Sequence, residues 1–227
     1  MKKHKDVEEE ERMQVEVKNL GKTIKGNVIL DNVDLRLESG KIYGLYGRNG
    51  SGKTMLLRCL AGLLQYEQGV IDYDGKRLHE QIAIPPNAGV MIENVGFWSM
   101  YTGFENLKML AAIRRKIDDV RIRNVIAEVG LDPADKRNVS KYSLGMRQRL
   151  AIAQALMEYP DILLLDEPTN ALDEEGILLF RNLLQQEKKR GCIVVLASHN
   201  KEDIDQLADV RLHMVKGRLE CEDGGRI

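Results

Sequence analysis

Residues 47–54 read GRNGSGKT and match the pattern G-x-x-x-x-G-K-[ST] at every fixed position. The stretch at 41–46 before them predicts a strand, and residues 55–64 after them predict a helix. Glycines let successive backbone N–H groups turn inward, and the start of the helix adds its positive end. The stretch therefore predicts a phosphate-binding loop, in which Lys53 reaches the β and γ phosphates and the Thr54 hydroxyl ligates Mg²⁺.

Two adjacent carboxylates follow an apolar run far downstream of this loop. The run at 162–165 ends in Asp166 and Glu167, and a buried parallel strand delivers such residues to the sheet edge where α/β sites form. Asp166 suits holding Mg²⁺ directly or through water, and Glu167 suits orienting and deprotonating the attacking water. Another apolar run ends at His199, whose neutral imidazole suits sensing the γ phosphate. We expect Glu167 and His199 to be catalytic.

The composition excludes several classes of protein. The chain has 227 residues, 43% of them hydrophobic, which fits one large domain or two small ones and excludes a wholly disordered chain. Its 34 basic and 35 acidic residues leave a formal net charge of −1, which argues against a basic face for nucleic acid or anionic lipid. No apolar run approaches the ~20 residues of a membrane-spanning helix. Three cysteines without a CxxC pair predict reduced thiols and no zinc knuckle. We therefore expect a cytosolic protein with no nucleic-acid partner.

Apolar alternation and turn residues outline the N-terminal part of the chain. Period-two patterning through 15–37, interrupted by glycines, predicts short antiparallel strands. Residues 69–78 predict a hairpin that turns at Asp74-Gly75, because a tight turn needs positive φ there. The charged residues 1–12 contain no apolar run and predict a solvated tail rather than a signal peptide.

The middle of the chain favours helices. The pattern is helical from 102 to about 159, and Thr102 with Glu105 forms a capping box at its start. The Asp-Pro pair at 132–133 predicts the start of a second helix, with proline at its first position. Residues 147–156 predict a third helix.

The last third of the chain indicates a βαβ unit. Apolar runs at 162–165 and 193–197 are typical of parallel strands covered on both faces, and a crossover helix at about 174–190 joins them. The sequence therefore predicts an α/β core with a helical insertion. We expect one domain at 13–227, with a helical subdomain at about 96–159.

A competing pattern lies close to the histidine. Residues 200–203 read NKED and match the N-K-x-D pattern with which GTPases read guanine, and 72–75 supply a D-x-x-G. That D-x-x-G lies inside the predicted hairpin turn, which leaves little room for a switch segment, and a GTPase has no use for the Asp166-Glu167 pair. We interpret 200–203 as the start of a helix with acidic residues in its first turn, with a GTPase switch as an alternative.

The motifs occur in an order that resembles one known family. Residues 142–149 read YSLGMRQR, which looks like the signature LSGGQ followed by RQR, and 169–173 read TNALD, which looks like a D-loop. With the phosphate loop, the Asp-Glu strand and His199, five motifs stand in the order of the ATP-binding cassette (ABC) family. The resemblance covers nearly the whole chain from about Met13. It implies a P-loop NTPase (RecA-like) parallel-sheet core with an N-terminal antiparallel β subdomain and a helical insertion subdomain.

The resemblance also implies how nucleotide is held. It implies a head-to-tail dimer with two ATP molecules at the interface, in which each phosphate loop faces the partner's signature. Ser143 is suited to donate its hydroxyl, and Gly145 its backbone N–H, to a γ phosphate at the start of a helix near Met146. Ser143 is equally suited to be an ordinary helix N-cap. The loop residues expected to bind nucleotide are Gly47, Arg48, Asn49, Gly50, Ser51, Gly52, Lys53 and Thr54.

Glu93 departs from the family pattern. It follows a strand predicted at 89–92, at the position where the family usually has Gln. A carboxylate keeps an oxygen for Mg²⁺ or water, loses the amide donor and adds a negative charge. The expected metal ligands are therefore Thr54, Glu93 and Asp166.

Three further positions differ from the family. Leu144 and Met146 replace Gly and Gln in the signature, which changes those side-chain contacts. Ile24 stands where the family usually stacks adenine on an aromatic ring. We therefore expect weak adenine stacking, and the preference between ATP and GTP stays open.

One branch of the family shares these departures. Glu93 followed by GFW and TGFENL, together with the SLGM signature, is similar to the ATPase subunits of bacterial exporters and immunity transporters for bacteriocins, lantibiotics and bacitracin-like peptides. The resemblance implies a separate membrane-spanning subunit, a second ATPase subunit in a homodimer or heterodimer, and a place on the cytoplasmic face of the cell membrane. The alternative is a soluble ABC-type ATPase of DNA repair or translation. Proteins of that kind typically carry a long coiled-coil insertion or two cassettes in one chain, and this chain shows neither feature.

The segment 96–104 concentrates four aromatic residues next to Glu93 in a chain that is only 5% aromatic. It resembles the family surface that receives a cytoplasmic helix of the membrane partner. Packing between the helical insertion and the main sheet explains the same residues equally well. Trp98 or Phe97 is the side chain that we expect to be exposed.

Overall fold

The computed structural model describes residues 13–93 and 95–221, so the tail predicted at 1–12 lies outside them. The strands are β1 (Gln14–Ile24), β2 (Asn27–Glu38), β3 (Ile42–Tyr46), β4 (Gln68–Tyr73), β5 (Lys76–Arg77), β6 (Ala88–Met91), β7 (Ile162–Asp166), β8 (Ile193–Ser198), β9 (Val210–Val215) and β10 (Arg218–Cys221). The α-helices are α1 (Lys53–Leu60), α2 (Gly103–Arg114), α3 (Asp119–Glu128), α4 (Leu144–Leu156), α5 (Glu174–Lys189) and α6 (Lys201–Leu207).

The main sheet has the strand order β10-β9-β3-β8-β7-β6, and all its pairs are parallel except β9 with β10. Its central strands β7 and β8 are buried along their whole length. Leu163 and Leu165 point into one hydrophobic cluster, whereas Ile162 and Leu164 point into the other. This two-sided burial explains why these runs are continuously apolar rather than alternating.

An antiparallel sheet of order β2-β1-β4-β5 supplies the second layer, as the period-two pattern predicts. Its apolar face and helix α1 share one hydrophobic cluster with one face of the main sheet. The predicted hairpin is confirmed, because Asp74 and Gly75 turn between β4 and β5 with φ of 52° and 80°. Helix α1 begins at Lys53 and ends at Leu60, before Gly62 adopts a φ of 71°.

Helices α2 to α4 lie between β6 and β7 in the chain and pack against the other face of the main sheet. The capping box is confirmed. The Thr102 hydroxyl oxygen accepts from the Glu105 amide at 3.2 Å, and the Glu105 carboxylate accepts from the Thr102 amide at 2.8 Å. A capped first turn fixes where α2 starts after the aromatic segment.

The helix predicted to start at Asp132-Pro133 is wrong. The Asp132 carboxylate accepts from the Ala134 amide at 2.8 Å and closes a short turn, so it caps no helix. The second helix of the insertion is α3, which lies earlier in the chain and is capped by Asp118. Asp-Pro is compatible with both a helix start and a turn, and only the packing around it distinguishes them.

Within 13–93 and 95–221, no helix has the length and apolar character needed to cross a membrane. Cys59 and Cys192 are free thiols, and burial raises the pKa of each to about 12. These two cysteines are therefore packing residues with little thiolate at neutral pH.

Arg121 on α3 is a buried cation that ties α3 to the end of α4. Its Nε donates to the Met157 carbonyl at 3.1 Å, and its Nη2 donates to the Leu156 carbonyl at 3.2 Å. Its Nη1 forms a 2.8 Å ion pair with Glu128, and its guanidinium lies 4.1 Å from the Tyr159 ring centre. Carbonyls at a helix end lack partners within the helix, so this arginine satisfies them.

We expect Arg121→Ala to lower the free energy of unfolding by about 2 kcal/mol, because it removes charged hydrogen bonds to buried carbonyls. Asn124→Ala, at an exposed position on the same helix, should change it by less than about 0.5 kcal/mol. Urea unfolding followed by circular dichroism measures both variants. Equal losses of stability in the two variants would contradict the assigned role of Arg121.

Candidate active site

The predicted site residues meet at the carboxyl edge of the main sheet. Tyr46 pairs with Ser198 across β3 and β8, and Asp166 pairs with Ala197 across β7 and β8. The three strands therefore end at one level, and each continues into a segment singled out in the sequence. A cavity of about 530 Å³ opens there, and loop residues 49–54 line it together with Glu93, Asp166 and Glu167.

The backbone of the loop requires glycine at two positions. Gly47 has a φ of 153°, and a Cβ there would collide with the carbonyl oxygen of Met214. Gly52 caps α1 with a φ of 114°, and a Cβ there would lie 2.9 Å from the carbonyl oxygen of Ile29. Both conformations are strained for residues with side chains, which explains the glycines of the pattern.

Two polar groups of the loop have unused hydrogen-bonding capacity. Lys53 is buried, and its Nζ donates to the Gly47 carbonyl at 2.7 Å. Burial lowers the pKa of Lys53, and the carboxylates of Glu167 and Asp166 oppose that shift. Among the described residues, none forms a hydrogen bond to the buried Ser51 Oγ. A phosphate group fits these unmet donors, because it offers acceptor oxygens and the negative charge that a buried ammonium needs.

Thr54 and Asp166 come together as predicted. Thr54 Oγ1 donates to Asp166 Oδ2 at 2.7 Å. Burial raises the pKa of Asp166, and the charges of Glu167 and Glu93 act in the same direction. A hydroxyl and a carboxylate are the hard oxygen ligands that Mg²⁺ prefers, and a cation there would relieve the crowding of negative charge.

Glu167 and His199 are in direct contact. His199 Nδ1 lies 2.8 Å from Glu167 Oε2, and Ser198 Oγ donates to the same oxygen at 3.4 Å. Glu167 has a φ of 50°, and its amide donates to the Ala197 carbonyl at 2.8 Å. The strained backbone is thus fixed by a neighbouring strand, and the histidine orients the carboxylate.

Glu93 lines the cavity, but its carboxylate already has a cationic partner. Arg58 Nη2 donates to Glu93 Oε2 at 2.6 Å. Sequence analysis did not identify Arg58 as a site residue. Its position four residues after Thr54 on α1 is the signal, because residues at i and i+4 share a helix face.

The signature residues lie at the exposed start of α4. Ser143 is the N-cap, and its Oγ accepts from the Met146 amide at 3.2 Å. The helix begins at Leu144 rather than near Met146, and the Leu144 side chain is 69% exposed. Ser143 and Gly145 are not among the residues that line the cavity of the same chain.

Gln148, which sequence analysis missed, joins the signature helix to the catalytic segment. Its Nε2 donates to the carbonyls of Glu167 at 3.2 Å and Pro168 at 2.9 Å. On the same helix, Arg149 pairs with Asp173 at 2.7 Å. The RQR letters after the signature are the signal for these contacts, which hold the backbone that carries Glu167.

The segment 200–203 forms the start of α6. Asn200 is the N-cap and accepts from the Glu202 amide at 3.0 Å. Asp203 accepts from the Thr169 hydroxyl at 2.7 Å. The interpretation of residues 200–203 as a helix start is confirmed. Through its contact with Thr169, Asp203 holds the segment that follows Glu167.

The family described as ABC transporter matches residues 30–170. The chain belongs to the ABC transporter family. It is 50% identical over 209 residues to the ABC transporter ATP-binding protein YybJ of Bacillus subtilis, a match that covers 92% of this chain and 96% of YybJ. The bacitracin transport ATP-binding protein BcrA of Enterococcus faecalis is 37% identical over 207 residues, covering 90% of this chain and 67% of BcrA. The lantibiotic transport ATP-binding protein SrtF of Streptococcus pyogenes is 32% identical over 208 residues, covering 92% of this chain and 90% of SrtF.

Solved structures agree on the ABC fold. A bacterial ABC transporter cassette with a known dimeric structure superposes with a TM-score of 0.81 at 22% identity, covering 91% of this chain and 96% of that one. The protein is thus an ATP-binding subunit of an ABC transporter and an ABC transporter ATPase. The predicted similarity to bacitracin and lantibiotic transport ATPases is confirmed by these relatives.

We expect Gln148→Ala to lower kcat for ATP about tenfold, because losing one or two hydrogen bonds loosens the backbone under Glu167. The Kd for ATP should stay within about twofold, since Gln148 does not line the nucleotide cavity. Gln154→Ala, the same change six residues further along α4, is the matched control and should leave both quantities unchanged. A wild-type kcat in Gln148→Ala would contradict the role of this link.

Proposed function

We propose that this ABC ATPase drives export of a peptide or drug-like substrate through a separate membrane-spanning subunit. The observation that carries the proposal is one cavity bordered by the phosphate loop, Asp166 and Glu167, with His199 bonded to Glu167. The names of the bacitracin and lantibiotic relatives support the substrate class. The functional unit is one cassette at 13–227, with its helical subdomain at about 96–159.

The loop residues hold the phosphates of ATP. Lys53 Nζ turns from the Gly47 carbonyl towards the terminal phosphates, and Ser51 Oγ gains the partner that it lacks within the described residues. Thr54 and Asp166 hold Mg²⁺, and Glu93 is the third proposed ligand. When bound, the metal neutralises charge on the phosphate oxygens as it develops.

Glu167 is the general base. Its carboxylate takes a proton from the attacking water as the new P–O bond forms and the bond to the ADP oxygen breaks. His199 donates its Nδ1–H to Glu167 Oε2 in this assignment and so fixes the orientation of the carboxylate. The left-handed backbone of Glu167 also fixes this orientation, since the Glu167 N–H donates a hydrogen bond to the Ala197 carbonyl.

A second ATPase subunit, either a second copy or a related chain, completes the site. Ser143 and Gly145 lie at an exposed helix N-terminus, away from the cavity of their own chain, and are positioned for the γ phosphate of a partner's nucleotide. The dimeric relative supports this arrangement. ATP binding closes such a dimer, and hydrolysis reopens it.

The base of the nucleotide meets an aliphatic surface. Ile24 and Ile29 line the cavity together with Lys25 and Asn27. No aromatic ring is among the described residues that line it. Adenine therefore packs on isoleucine side chains in this proposal.

The segment 96–104 is the proposed docking surface for the membrane subunit, on the cytoplasmic face of the membrane. Trp98 is 50% exposed and Met100 is 79% exposed, whereas Phe97 and Phe104 pack against the core. The aromatic residues thus divide between the two interpretations of the sequence. With Tyr101, which is 45% exposed, three large hydrophobic side chains of this segment face water and favour contact with another protein. No nucleic-acid partner is proposed.

We expect Glu167→Gln to reduce ATP turnover at least about 100-fold, because the amide cannot take the proton. ATP should then trap the protein as a dimer, visible by size-exclusion chromatography with light scattering. Lys53→Ala should instead lose ATP binding and stay monomeric with ATP. Hydrolysis by Glu167→Gln at the wild-type rate would contradict the base assignment.

We expect Trp98→Asp to abolish recovery of a multi-span membrane protein with the tagged chain from detergent-solubilised membranes, because a charge disrupts an apolar contact. ATP turnover of the isolated chain should remain unchanged. Leu178→Asp, at a 57% exposed position on α5, is the control and should retain the partner. Retention by both variants, identified by mass spectrometry, would contradict the docking surface.

A further inference from the structure

The ion pair of Arg58 and Glu93 joins helix α1 to the segment after β6, and both segments contribute residues to the lining of the cavity. Arg58 lies one helical turn after Thr54 on α1, and Glu93 lies two residues after the end of β6. Their ion pair is short, 2.6 Å between Nη2 and Oε2, although both side chains are partly exposed. Such a pair adds little to stability on its own, so its value lies in where it holds the carboxylate.

The pair balances charge at the site. Three carboxylates line the cavity, those of Glu93, Asp166 and Glu167. Glu93 lines the same cavity as Thr54 and Asp166, which places its carboxylate on the side of the proposed metal site. Arg58 compensates the charge of Glu93, and its guanidinium occupies an oxygen of the same carboxylate that a metal would use.

The backbone of Glu93 adopts a strained conformation that the surrounding structure must hold in place. Glu93 has a φ of 57°, in the left-handed region that costs a residue with a side chain free energy. Arg58 holds the carboxylate of Glu93 through the ion pair. The segment 95–104, which contains the proposed docking surface, follows Glu93 in the chain.

We propose that Arg58 is a positioning residue that competes with Mg²⁺ for the Glu93 carboxylate. With Arg58 engaged, Thr54 and Asp166 are the protein ligands; when Glu93 turns to the metal, the ion pair to α1 is broken. Occupancy of the metal site is thereby linked to the segment that leads to the membrane partner. This inference rests on the proposed magnesium site.

The test measures Mn²⁺ binding by electron paramagnetic resonance in the presence of ADP, so that it does not depend on turnover. Arg58→Gln should tighten Mn²⁺ binding about three- to tenfold, because it releases the Glu93 carboxylate to become a further oxygen ligand of the metal. Arg58→Lys, which keeps the charge, should stay closer to wild type. In a Glu93→Gln background, Arg58→Gln should have no effect.

Control variants separate this effect from general changes. Lys108→Gln breaks an exposed ion pair of equal length, that with Asp119, and should leave Mn²⁺ affinity unchanged. Thermal melting of each variant verifies folding. An unchanged affinity in Arg58→Gln, or an equal shift with Gln at position 93, would overturn the proposal. Asp166→Asn should weaken Mn²⁺ in every background, and its failure to do so would overturn the metal site itself.

Discussion

The hydrogen bond from Thr54 to Asp166 joins residues 112 positions apart, and the functional geometry depends on it. It forms because β3 and β7 flank β8 in a parallel sheet whose strands end at the same level. Any slip in that register would move one partner by a residue and turn its side chain to the other face. Burial on both faces of the sheet makes such a slip costly, so the hydrophobic core sets the spacing of the polar site.

Strain and bracing concentrate around the two carboxylates that do not pair with the loop. Glu93 and Glu167 both have left-handed backbones, a conformation that most residues with side chains avoid. Each is held by contacts from a different element: Arg58 on α1 for Glu93, and Gln148 on α4 for the segment of Glu167. Helices therefore help to hold these two acidic segments, together with strand β8 and His199 for Glu167, whereas the loop backbone forms the phosphate site.

Much of the fold was predictable because its signals are local. The glycines of the loop, the capping box at Thr102 and the Asp74-Gly75 turn each act within a few residues. The helix predicted at 132–133 failed for a related reason, since an Asp-Pro pair serves a turn as readily as a helix start. At the site, Asp166 and Glu167 were predictable because they lie at the end of an apolar strand, and Thr54 because it is the last residue of the phosphate-loop pattern.

The sequence by itself determined the phosphate loop, the acidic pair, the order of the motifs and hence the family. Those features depend on residue type and spacing, which carry over directly to backbone geometry and chemistry. Tertiary structure alone decided that His199 bonds Glu167, that Arg58 holds Glu93 and that Gln148 supports the catalytic backbone. Each of these contacts bridges separate elements, so it is set by how helices pack on the sheet, and no local pattern records that packing.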